Sequence, residues 1–281
     1  MHGAGDPVKT SVITSSYNQP RELDFVLCGI SRQSVLPDEV LVADDGSKSE
    51  TADVIEGWRA EIGCKLVHVR QADRGYRKAR IVNEAVRRSG GEHLIFLDGD
   101  TFPHRHWIHD HLAAADGRRV LCGRRVKLGP AISKRTTREH ILRGDFDHPL
   151  GALLASGLRG DTQRLGLGVR LPMPVARMLH PRPRRLMGVN FSLPRAAYEA
   201  VNGLDEEWTF YGREDLDLEL RLKRAAWPFY PLLNRAVVFH VYHPERPRSE
   251  ECRERVAAME NSSTIRCETG LQLQGPFDPE A

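Results

Sequence analysis

Residues 93–103 read HLIFLDGDTFP. Leu94, Ile95, Phe96 and Leu97 form an apolar run of the kind found in a strand buried on both faces. Asp98 and Asp100 follow at once, with Gly99 between them. Two carboxylates at a strand end cannot both stay ionised in a crevice without compensation. A divalent cation supplies it, and hard oxygen ligands favour Mg²⁺ or Mn²⁺. The plain alternative is an Asp-Gly turn after a strand, so the neighbouring segments have to decide.

Working outward, the same rhythm recurs. VKTSVITSSY (8–17) reads as a strand that stops at Asn18-Gln19-Pro20, and 21–33 carries helical spacing at Leu23, Val26, Leu27 and Ile30. EVLVADDGS is a second strand ending in Asp44-Asp45-Gly46. Residues 49–60 read as a helix, KLVHVR as a short strand and RKARIVNEAVRRS as an amphipathic helix. Strands alternating with helices of about a dozen residues predict an α/β fold with a mostly parallel sheet. Ligands of such sheets bind at the carboxyl ends of the strands. Ser15 to Tyr17, Asp44-Asp45 and Asp98/Asp100 all fall there, so they are expected to line one crevice.

Downstream, MGVNFSLPRAAYEAV predicts a strand and a helix, FYGREDLDLELRLKRA a helix entered at Gly212, and NRAVVFHVYHPER a last strand. The acidic pair Glu214-Asp215 opens that helix, where the dipole favours the ionised form. This suits a base taking a proton from a hydroxyl; the plain alternative is ordinary helix capping. His240 and His243 follow a strand and can complete a metal site. Three apart on a strand-like run, they are not both expected to face one ion. The stretch 128–187 is rich in Gly, Pro and Arg. It reads as an insertion or mobile excursion over the crevice. The polar tail beyond about Glu250 is expected to fray.

Charge is uneven. Residues 117–188 hold 16 Lys and Arg against 4 Asp and Glu, whereas the remainder is net acidic. The middle segment is either a solvated basic surface or a contact for phosphate, anionic glycan or anionic lipid. Without helix-turn-helix, RNP or zinc-finger signatures, no nucleic-acid partner is expected. The five cysteines are scattered and form no CxxC pair, as suits free thiols in a reducing compartment. No run of 18 apolar residues exists, and MHGAGDPVKT lacks the apolar core of a signal peptide. The expected location is the cytoplasm, extending to peripheral contact with the inner, anionic face of a membrane.

TSVITSSYN, EVLVADDGS, RGYRKARIVNEAV, HLIFLDGDTFP, GVNFSLPRAAYEAVNGLDEEWTFYGREDLDLELRL and VVFHVYHP, in this order, resemble the GT-A glycosyltransferases of family 2. The second half resembles the branch of chondroitin polymerases and β-1,4-galactosyltransferases. The resemblance covers 8–126 and 187–245. It implies a Rossmann-like, mostly parallel mixed sheet flanked by helices. It also implies a single catalytic domain over 1–250: a nucleotide-binding half (8–126), a basic insertion or lid (127–187) and an acceptor-binding half (188–250), before the tail 251–281. The implied activity is inverting transfer from a nucleotide diphosphate sugar, UDP-linked by preference, to a hydroxyl of a glycan, glycolipid or small molecule, in bacterial polysaccharide or related synthesis.

The resemblance also implies roles. Ser15 and Tyr17 line the nucleoside pocket, Tyr17 offering a stacking face. Asp45 or its neighbour Asp44 contacts base or ribose. Asp73, Arg77, Arg80 and Asn83 approach the sugar and diphosphate, beside Asp98 and Gly99. Asp98 and Asp100 form the DxD pair on Mn²⁺ or Mg²⁺, His240 or His243 is the third ligand, and Asp215, with Glu214, supplies the base. Arg213 stands where the branch has a small residue. Two other readings compete. A sugar-phosphate nucleotidyltransferase would need a Gly-rich basic loop after the first strand, which TSSYNQPRE is not. A silent glycan- or membrane-binding module would not need Asp98, Asp100 and Asp215.

Overall fold

The computed structural model describes residues 8–148, 151–245, 247–272 and 276–280. The N-terminal stretch read for a leader lies, up to Pro7, outside them, as do Gly275 and Ala281 of the tail. In chain order the strands are β1 (Thr10–Ser16), β2 (Glu39–Asp44), β3 (Lys65–Arg70), β4 (His93–Asp98), β5 (Thr101–Pro103), β6 (Val120–Cys122), β7 (Arg125–Lys127), β8 (Asn190–Pro194), β9 (Phe229–Pro231) and β10 (Val238–His240). The helices are α1 (Pro20–Ser31), α2 (Ser49–Trp58), α3 (Lys78–Arg88), α4 (Trp107–Ala114), α5 (Pro130–Arg135), α6 (Arg138–Arg143), α7 (Ala152–Leu158), α8 (Met173–Leu179), α9 (Arg195–Ala200), α10 (Glu214–Arg224) and α11 (Glu250–Asn261).

Seven strands form one sheet in the order β3-β2-β1-β4-β8-β6-β9, and β5-β10-β7 form a second, small one. The β3-β2-β1-β4 half is parallel throughout, and β8 runs antiparallel to β4 and β6. This is the expected mostly parallel α/β sheet. Apolar clusters cover both faces. Val12, Val40, Val42 and Ile95 point to one and Ile13, Leu41, Leu94 and Phe96 to the other. That two-sided burial is why the strands read as unbroken apolar runs rather than alternating ones.

Register brings the strand ends together. Ser15 lies opposite Asp98 and Ser16 opposite Asp44. Close approach here depends on Gly99, where a Cβ would fall 2.1 Å from the Ser15 carbonyl oxygen. In the small sheet His240 pairs with Thr101, and Val241 N–H donates to the Asp100 carbonyl at 2.9 Å. The last strand is thus only three residues long and belongs to a separate ribbon that carries His240 to the end of β4.

Two expectations need correction. The 128–187 segment is no loose excursion. Leu128, Ile132, Ile141, Phe146 and Leu153 enter the core cluster beneath α1. Arg21 donates to the carbonyls of Ser133 and Thr136 at 2.8 and 3.0 Å, and Arg170 pairs with the buried Asp110 at 2.7 Å. These apolar anchors are too widely spaced to register as periodicity. Nor does the described part of the tail fray. It forms α11 and returns along the molecule, where Leu271 N–H donates to Asn202 O and Ala72 N–H to Pro279 O, both at 2.7 Å. Cys267 and Met259 are buried. Among the described residues no helix is long and apolar enough to cross a membrane.

Candidate active site

Three groups of side chains meet at the carboxyl end of the sheet. The first gathers at β1, β2 and the β3–α3 loop. Asp45 accepts from Gln71 Nε2 at 2.6 Å and Arg77 N–H at 2.9 Å. Burial raises its pKa against the pull of those bonds. The Tyr17 hydroxyl donates to Asp73 Oδ2 at 3.0 Å, and the residue is 38% exposed. Arg77 donates to Ala72 O at 2.6 Å. Asp44 faces elsewhere, buried and bonded to His68 Nε2 and Ser47 N–H, both at 2.8 Å. Of the two adjacent aspartates, Asp45 is therefore the one beside Tyr17, Asp73 and Arg77.

The second group is a charge knot under the crevice. Lys78, the first residue of α3, places Nζ 2.7 Å from Asp98 Oδ1 and 3.1 Å from Glu214 Oε1. The Tyr76 hydroxyl donates to the same Glu214 oxygen at 3.1 Å, and Glu214 Oε2 is buried without a partner among the described residues. Burial alone would depress the Lys78 pKa. The carboxylates of Asp98 and Glu214 more than reverse this and hold it well above the ordinary range. Asp215 accepts from Gly188 N–H at 3.0 Å. Burial, then the charge of Glu214, pushes its pKa up to about 6. Ser15, Lys78, Asp98, Gly188, Glu214 and Asp215 line one pocket.

The third group is Asp100 with His240 and His243. Nε2 of the two imidazoles lies 3.4 and 3.2 Å from Asp100 Oδ2. One ligand atom from each of the three falls within 4.8 Å of the others. Burial would raise the Asp100 pKa, but hydrogen bonds from both histidines hold it well below the carboxylate range. A carboxylate with two imidazoles fits a divalent transition ion such as Mn²⁺ better than Mg²⁺, which prefers an all-oxygen shell. The two histidines were not both expected to face one ion, yet both imidazoles reach Asp100. β10 ends at His240, so strand alternation no longer governs His243. Asp98 pairs with Lys78 and is not among the three groups gathered here.

Two more candidates are held by other segments. Asn83 is fully buried; its amide donates to Leu204 O and Glu206 and accepts from Tyr198. It clamps α3 to the segment after α9. Arg80 donates to Gln71 and Asp278 O and lies 4.5 Å over the Phe277 ring. The tail, whose return the sequence does not signal, takes it. Lys78 and Tyr76 were missed. A lysine opening a helix opposes the helix dipole, and that conflict was the available sign of an acidic partner.

The turn before Glu214 is also unusual. Gly212 has φ 91° and Arg213 φ 76°. Left-handed backbone costs a non-glycine residue about 1–2 kcal/mol. Trp208 Nε1 fixes the turn by donating to Gly212 O at 2.7 Å.

Comparison with known proteins places the chain. The sequence model of glycosyl transferase family 2 matches residues 11–168, and one described as the N-terminal domain of galactosyltransferase matches 178–244. Validoxylamine A glucosyltransferase of Streptomyces hygroscopicus subsp. limoneus is 30% identical over 225 residues, covering 78% of this chain and 48% of that protein. The chain thus spans about half the length of that relative. The solved structure of Staphylococcus aureus TarS 1–349 with UDP superposes with TM-score 0.56 at 18% identity, over 84% of this chain and 61% of that one. A mannosyltransferase of Pyrobaculum calidifontis with GDP-Man and Mn²⁺ gives 0.53 at 18%, over 87% and 61%. At these identities the structures establish the shared GT-A fold.

Proposed function

Because the chain belongs to glycosyl transferase family 2, and is a nucleotide-sugar glycosyltransferase on that ground, we propose that it moves a sugar from a UDP-linked donor to an acceptor hydroxyl with inversion at the anomeric carbon. The carrying observation is Asp215. It is oriented by Gly188 N–H, partly buried, and has a pKa raised to about 6. A carboxylate so poised is ionised at neutral pH yet basic enough to take a proton in the transition state.

The acceptor hydroxyl gives its proton to Asp215 as its oxygen bonds the anomeric carbon. The bond to the diphosphate breaks, its electron pair leaving with the nucleotide. A single displacement requires attack opposite the leaving group, so an α-linked donor yields a β-linked product. Tyr17, Asp45 and Asp73 form the nucleoside side, and Lys78 orients Asp98 and Glu214. Asp100, His240 and His243 would hold a divalent cation, which when bound supplies charge that neutralises the diphosphate. A thermal-shift panel of nucleotide sugars with and without Mn²⁺ tests the reading. The true donor raises the melting temperature by mass action, and no response to any of them removes it.

The basic middle segment supports contact with an anionic membrane surface. Met178 and Leu179, at the end of α8, are 73% and 55% exposed. Arg182, Arg184 and Arg185, all exposed, follow directly. Apolar side chains beside a cluster of cations suit the headgroup region of anionic lipid.

A further inference from the structure

We propose that the acceptor carries an anionic group, a phosphate or a carboxylate, received by the guanidinium groups of Arg213 and Arg248 at the turn that leads into Glu214 and Asp215. The inference rests on the glycosyl-transfer reading and deepens it by naming the chemistry of the acceptor.

Arg213 is the residue before Glu214 and the N-cap of α10. Its backbone is left-handed, a conformation that glycine adopts without strain. A cation at a helix N-terminus is also unfavourable against the dipole. Among the described residues no carboxylate pairs with the Arg213 side chain. Strain retained next to catalytic groups points to use of the side chain.

Arg248 flanks the same turn. A Cβ on Gly212 would lie 3.8 Å from Arg248 Nε. Arg248 lines a recess of about 360 Å³ together with Glu245, Pro247 and Arg253. The other charges there are already matched. Arg253 is held by Glu250 at 2.5 Å and Glu245 by Lys127 at 3.1 Å. Arg248 has no such partner among the described residues. Arg125 continues the cationic line toward the metal group. It sits on β7 opposite Val238, two residues before His240, and its buried Nε lacks a partner among the described residues. Its charge acts on both His243 and Glu245.

The unmatched Arg248 guanidinium in this recess, at the turn that leads into Glu214 and Asp215, suits an anion. The planar fork of arginine binds phosphate or carboxylate in a bidentate manner. Tyr211, exposed and one residue before Gly212, adds an aromatic face for the sugar ring.

The test uses the full chain, saturated with Mn²⁺ and with the nucleoside diphosphate that stabilises it most. It is titrated calorimetrically at low ionic strength with glucose, glucuronate and glucose 6-phosphate. At least one anionic sugar should bind tenfold or more tightly than glucose, and which one separates carboxylate from phosphate. That preference should shrink with added salt. Arg248→Gln and Arg213→Gly should each lower the anion's affinity about tenfold. Arg213→Gly relieves backbone strain, so its melting temperature, measured alongside, separates lost binding from lost fold. Equal binding of the three sugars, or anion binding unchanged in both variants, overturns the inference while leaving glycosyl transfer standing. Failure of every nucleoside diphosphate to stabilise the chain removes both.

Discussion

Lys78 Nζ stands 2.7 Å from Asp98 Oδ1, tying the first turn of α3 to the end of β4. The same ammonium reaches Glu214 at 3.1 Å and lowers the Asp215 pKa by its charge. Lys78→Met therefore leaves buried carboxylates uncompensated. We expect a stability loss of about 3 kcal/mol and transfer reduced at least ~100-fold. The acid limb of the pH–rate profile should shift to higher pH as Asp215 becomes harder to ionise. Lys78→Arg should recover part of both. An unshifted acid limb in Lys78→Met, measured in kcat, would separate Lys78 from the base.

With its pKa near 6, Asp215 sets a pH dependence of known sign. The base works ionised, so kcat should fall about tenfold per unit as pH drops below about 6. Asp215→Asn should abolish transfer while donor binding persists. Because the folded-state pKa is raised, ionised Asp215 costs stability at pH above about 6. That cost disappears as pH falls below the usual carboxylate value. At pH 7.5 Asp215→Asn should thus melt ~2–4 °C higher, a gain of about 1 kcal/mol. Wild-type transfer by this variant would refute the base assignment.

Both histidines face Asp100, so Asp100→Ala, His240→Ala and His243→Ala should each weaken Mn²⁺ binding tenfold or more. Calorimetric titration of Mn²⁺ in the presence of nucleotide reads this directly. A variant of either histidine that binds Mn²⁺ as tightly as wild type would remove that residue from the ligand set.

Asn83 is a structural clamp in this fold. Asn83→Ala strands the Tyr198 hydroxyl and the Leu204 carbonyl, at a cost of about 2–3 kcal/mol. Denaturant unfolding should show this loss, while the donor's dissociation constant stays within twofold of wild type. A large loss of donor affinity at unchanged stability would return Asn83 to the crevice.

Met178→Glu/Leu179→Glu places two anions beside Arg182, Arg184 and Arg185. Sedimentation with vesicles containing phosphatidylserine should fall at least ~10-fold for the double variant, with thermal stability retained because both side chains are exposed. Equal sedimentation of variant and wild type would contradict membrane contact through α8.

The sheet was legible because its strands are buried on both faces and so carry unbroken apolar runs, each ending in polar residues: Ser15-Ser16, Asp44-Asp45, Asp98. From that alone the crevice at the carboxyl ends followed. The sequence could not say which way each carboxylate turns. Asp98 and Asp100 are two apart, yet one meets Lys78 from α3 and the other meets histidines from a ribbon about 140 residues later in the chain. Asn83 and Arg80 lie on the same helix as Lys78, but other partners claim them. Such choices depend on pairing between distant segments, and local propensity contains no information about it. The sequence by itself determined the layered fold and the chemistry gathered at one sheet edge. Only the tertiary structure decided which of those groups share a hydrogen bond, because burial makes each charge accept the partner that packing brings within reach.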